Sequence, residues 1–111
     1  MKPGRQQLLA EAWIGDAVLS LFARRKILGE RGAISSEQFE RMTSNQFLAA
    51  FGDPSSVEAR IGRVYTEAGI DAAFAWIEAN LVPLYQRQEE KRQRASGRRA
   101  PALPVASQAG E

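Results

Sequence analysis

The run from Ala12 to Leu19, AWIGDAVL, sets a glycine and a carboxylate inside an apolar stretch. Its flanks, QQLLAEAW and SLFARRKIL, read as helix with no turn signal between them. Glycine in a helix interior costs about 1 kcal/mol relative to alanine, and a carboxylate held against apolar neighbours is costly unless something pairs with it. The rest of the composition narrows the chemistry such an acid could perform. With no histidine and no cysteine, the chain has no imidazole base, no Ser–His pair, no thiolate nucleophile, no thiolate zinc site and no disulfide. Catalysis would have to rest on carboxylates, lysines, hydroxyls, or a hard cation held by oxygen ligands.

These residues must be positioned by a small fold. A chain of 111 residues, 44% apolar, supports one domain with a modest, marginally stable core, for which oligomerisation is a natural way to bury more surface. The longest apolar runs are broken by Asp16 and by Arg24-Arg25-Lys26, so no segment is expected to span a membrane. The opening MKPGRQQ is not followed by a signal-peptide pattern, and a cytoplasmic protein is expected. Net charge is only +2, yet Tyr85 to Arg99 holds six Lys or Arg against two Glu. That local excess suits a polyanion such as nucleic acid; it also reads as a solvated helix end running into a tail.

The spacing predicts helices throughout. The first runs to about Leu28, with Leu9, Trp13, Asp16, Ser20, Ala23 and Ile27 along one side, and is ended by Gly29 and Gly32. The second opens at Ser35, with Gln38 completing a capping box and Ile34 and Phe39 spaced for a hydrophobic staple, and reaches Gly52-Asp53-Pro54. A third opens at Ser55-x-x-Glu58, a second capping box that explains Glu58 by itself, and closes at Gly69. Asp71 caps a fourth; Pro83 bends or restarts it, and a charged helix continues to about Ala95. No stretch alternates with period two, so the fold is expected to be all-α. The expected division is a helical domain over 1–95 and a basic, Pro- and Ala-rich disordered tail over 96–111.

Three segments in order resemble the catalytic domain of the ribonuclease III family. EAWIGDAVLSLFARRKIL resembles its signature helix, Arg41-Met42-Thr43-Ser44-Asn45-Gln46 is similar to its Arg-rich helix ending in Ser-Asn, and SVEARIGRVY is similar to its later V-E-A-x-I-G helix. With no double-stranded-RNA-binding domain in the sequence, the short Mini-ribonuclease III branch is the nearer likeness. The resemblance implies a compact, shortened all-α homodimer whose signature helix lies at the subunit interface. It implies a metal-dependent endoribonuclease that cleaves double-stranded or structured RNA, leaving a 5′-phosphate and a 3′-hydroxyl.

On this resemblance Asp16 and Glu58, 42 positions apart, are the catalytic pair and the ligands of Mg²⁺ or Mn²⁺. Gly15 would admit a neighbouring helix or a substrate backbone. Asp16 is otherwise a buried carboxylate tied to a Trp, Ser or backbone donor. Arg41 and Asn45 are candidates for phosphate or ribose contact, and Arg92, Arg94, Arg98 and Arg99 for RNA binding. Trp13 and Phe22 read as core or dimer contacts, with Ala17 beside them at the dimer interface. The chain departs from the family in three places. Ala12 stands where a glutamate is usual, the middle glutamate falls near Ser36 or Glu37, and Ser55 replaces an aspartate. Those departures motivate an alternative, a degenerate member of the same fold that binds RNA or a ribonucleoprotein without cleaving it.

Overall fold

A computed structural model describes residues 4–99, and the segment from 100 onward, most of the expected tail, lies outside them. The described chain is all-helical: α1 (Arg5–Arg31), α2 (Ser36–Thr43), α3 (Asn45–Ala49), α4 (Pro54–Ala68), α5 (Ile70–Asn80) and α6 (Val82–Arg99). None of these helices is long and apolar enough to cross a membrane.

The start and stop signals act partly as the sequence predicts. Gly32, in the left-handed conformation at φ 71°, ends α1, while Gly29 stays inside the helix. The Ser35 hydroxyl accepts the Gln38 N–H at 3.2 Å and opens α2. The Gln38 side chain does not return to Ser35; it accepts from Arg31 instead, and Ile34 stays 84% exposed, so the staple covers little of it. The single helix expected from Ser35 to Gly52 is two. Ser44 adopts an extended conformation and accepts the Phe47 N–H, so its side chain replaces a rung of the helical ladder.

The start of α4 is also corrected. Asp53 is the cap, accepting the Ser56 N–H at 3.0 Å, with Pro54 in the first turn. Ser55 therefore lies inside the helix, and the expected Ser55–Glu58 capping box does not form. Gly69, not Asp71, precedes α5; Asp71 sits in its first turn. Pro83 lies in the first turn of α6, where its missing N–H is harmless, and α6 runs four residues past the expected boundary at Ala95.

The core is built around Leu19, Leu48, Ile61, Ile77 and Leu81, all almost fully buried. The inward face of α1 is Ala12, Gly15, Val18, Leu19, Phe22, Ala23 and Ile27. It shares Ala23 and Ile27 with the expected Leu9–Trp13–Asp16–Ser20–Ala23–Ile27 line but is turned about 90° around the helix from it, because α4 packs on α1 through glycine. A Cβ at Gly15 would lie 1.7 Å from the Glu58 carbonyl oxygen, and one at Gly62 would lie 1.9 Å from that of Glu11. Only hydrogen at both positions lets the two backbones come this close.

Gly15→Ala and Gly62→Ala should each lower stability by about 3 kcal/mol, since the new methyl meets backbone that cannot rotate away. Gly29→Ala, with nothing within 4 Å of its Cβ, should raise it by about 0.5–1 kcal/mol. Urea unfolding of the three variants checks both signs.

Candidate metal centre at the α1–α4 crossing

The glycine crossing decides which side chains meet. Asp16 follows Gly15 by one residue, about 100° around α1, and so emerges at the edge of the contact. Glu58 precedes Gly62 by one turn of α4, with its own carbonyl against Gly15. The two carboxyls are thereby brought together from distant segments. Burial, then a hydrogen bond to Asp16, then the Asp16 charge push the Glu58 carboxyl up to about 7. Asp16 itself is exposed and Glu58 half-buried. The acid expected among apolar neighbours instead stands at the solvent edge, because the contact of α1 with α4 is centred on Gly15 and Ala12 beside it.

A second pair flanks the crossing. Arg63 donates from Nη2 to Glu11 Oε1 at 3.1 Å, and this hydrogen bond holds the Glu11 carboxyl below its usual range. Relative to the Ala12–Gly15 contact line, Glu11 and Asp16 project to opposite sides of α1. Arg63 thus neutralises Glu11, and the Asp16–Glu58 pair has no ion-pair partner among the described residues. Two oxygen ligands with no bound cationic side chain suit a hard dication that keeps several waters. A third acid does not join them: among the described residues no group of three or more His, Cys, Asp or Glu is placed to hold a metal. Glu37, one of the two positions expected near a third ligand, therefore adds nothing to the centre.

The other expected site residues divide. Arg41 Nε donates to Glu89 at 2.9 Å, and Arg92 lies 3.7 Å from the same carboxylate. These arginines of α2 and α6 meet in a cleft of roughly 420 Å³ with Ser44, Gln46 and Gln88. Asn45 and Arg94 are exposed. Arg98 and Arg99 close α6, and their side chains lie outside the described part. Trp13 (80% exposed) and Ala17 face outward. Phe22, expected in the core or at a dimer face, is in the core, edge-on to Phe74 at 5.3 Å, because it lies on the α1 arc that α4 and α5 cover. Sequence reading missed the role of Gly62, although the signal lay within V-E-A-x-I-G, one turn after the glutamate. Compared with family models, curated proteins and solved structures, the chain matches none.

The raised Glu58 pKa fixes the sign of a pH effect. The folded carboxyl holds its proton more tightly than the unfolded one, whose ordinary value is 4.5. Its contribution to stability is full below that value and is lost as pH rises through about 7. Between pH 5 and 8 the wild-type chain should lose about 1 kcal/mol more stability than Glu58→Gln, the figure being discounted for solvent screening of a half-exposed group. Thermal melts of both chains across that range test this.

Proposed function

We propose that this chain is a divalent-metal-dependent endoribonuclease of ribonuclease III type, most like the Mini-ribonuclease III branch, acting on double-stranded or structured RNA. The reading is carried by one observation: Glu58 of α4 meets Asp16 of α1, the two acids that the resemblance assigns to the metal. Loss of the Ser55–Glu58 capping box adds support, since Glu58 has no capping duty to explain it.

Asp16 and Glu58 would hold Mg²⁺ or Mn²⁺, with waters completing the shell. Such an ion supplies a water of lowered pKa and positive charge for the scissile phosphate. Asp16, at the solvent edge, is open to an RNA strand, whereas Glu58 is half-covered by the helix crossing. Glu58 carries a proton in part of the molecules near neutral pH and must release it before both carboxyls can serve as ligands. Cleavage should therefore fall away below neutrality.

The same reading includes a homodimer. Leu9, Trp13, Ile14 and Leu21 leave between 41% and 80% of their surface exposed on α1, and with Ala17 they form a continuous outward strip at 100° per residue. Asp16 borders that strip, so a second copy seated on it would bring two metal centres to one groove. Light scattering at micromolar concentration should report a dimer for the wild type and a monomer for Trp13→Glu with Leu21→Glu.

The gathering of two carboxyls, and no third, favours the second reading, a domain that binds RNA without cutting it. One experiment separates them. Duplex RNA with Mg²⁺ or Mn²⁺ should be cut by the wild-type chain, and Asp16→Asn or Glu58→Gln should slow cutting at least a hundredfold. Equal cutting by the variants discards the proposed centre, and tight binding with no cutting by any of them selects the binding domain.

A further inference from the structure

Four cationic side chains of the described chain find no partner within it, and three of them share one helix face. Lys26, Arg41, Arg63 and Arg92 face carboxylates. Arg31 donates to Gln38, and Arg24, Arg25 and Arg60 lie over aromatic rings. That leaves Arg5 at the start of α1, and Arg87, Lys91 and Arg94 on α6, all exposed. At 100° per residue the α6 trio falls within about 60° of arc, with Lys91 about 6 Å and Arg94 about 10 Å along the axis from Arg87. Tyr85 and Glu89, which pack on Phe47 and Arg41, project about 160° away on the opposite side. The trio thus points away from the body of the fold. Glu90 borders it, three residues after Arg87 and four before Arg94, yet pairs with neither among the described residues.

Beyond Glu89 no hydrogen bond, ion pair or aromatic contact ties the described part of α6 to the other helices, in a molecule 60 Å long and 25 by 21 Å across. From Gln86 onward α6 is polar on all sides and gains no stability from a core. Its face also carries no exposed large apolar side chain, so it lacks what an interfacial membrane helix would insert. A row of unpaired cations one turn apart is suited to the phosphates of a nucleic-acid strand.

We infer that Arg87, Lys91 and Arg94 form a docking ridge for the phosphate backbone of an RNA duplex, separate from the Asp16–Glu58 centre. The identity of the polyanion rests on the proposed function; the ridge rests on the helix geometry. It replaces the expected role of Arg92, which is turned toward Glu89, and adds Arg87 and Lys91.

The test is anisotropy of a labelled RNA duplex with the full chain in EDTA, so that nothing is cut. Arg87→Gln with Lys91→Gln and Arg94→Gln should weaken binding about tenfold or more in 0.1 M salt and flatten the log–log salt dependence by two to three, about one per lost phosphate contact. A control removing the same charge elsewhere, Arg5→Gln with Arg31→Gln and Arg60→Gln, should lose much less. Equal loss in both triple variants, or none in the first, overturns the ridge while leaving the nuclease proposal standing. Loss confined to phosphatidylserine vesicles, with RNA affinity intact, overturns it in favour of a membrane surface. A wild-type chain that neither binds nor cuts duplex RNA sinks the nuclease proposal and the ridge together.

Discussion

Everything in this fold that resembles a functional centre depends on a contact where two helix backbones touch without side chains between them. Gly15 and Gly62 leave room for the Glu58 and Glu11 carbonyls to lie where methyl groups would otherwise be. Helices held apart by side chains pack at about 8–10 Å between axes. Glycine at the crossing removes that spacer, and side chains at its margins are pressed toward each other. Asp16 and Glu58 meet on one margin, Glu11 and Arg63 on the other.

The two margins have opposite electrostatic outcomes. Glu11 gains a guanidinium and keeps its charge easily. Glu58 gains a second carboxyl, and partial burial removes the water that would otherwise ease the repulsion. A fold under selection for stability alone has no use for that arrangement, because an amide at position 58 would remove the repulsion without changing shape. Unfavourable carboxylate pairs are how proteins hold hard cations. The proposed metal centre gives the pair a purpose that packing does not.

The outer surface follows from the same geometry. Once Ala12, Gly15 and Leu19 face inward, Leu9, Ile14, Leu21 and, above all, Trp13 are left outside. The longest helix, α1, therefore presents an uncovered apolar strip. On α6 the inward side is used by Tyr85 and Glu89, and the cations that remain are left on the far side.

Much of this was legible in the sequence for local reasons. Helical periodicity, the Ser35 cap and the stop at Gly32 depend on neighbours within four residues, and those neighbours are present in the chain before it folds. The pairing of Gly15-Asp16 with V-E-A-x-I-G was also legible, but only through resemblance to a family; nothing in the spacing itself says that residues 42 apart will touch. What the tertiary structure decided was which arc of α1 is buried. The expected line runs through Leu9, Trp13 and Asp16, whereas close approach of the backbones at Gly15 and Gly62 turns the buried arc about 90° toward Ala12, Gly15, Leu19 and Phe22. It decided as well that Asp53 rather than Ser55 caps α4, since both can accept an amide and the path of the chain chooses between them. Hydrophobicity is summed along a sequence, but the distance at which two helices can meet is set by what is absent at the point of contact, and that appears only when both surfaces are in place.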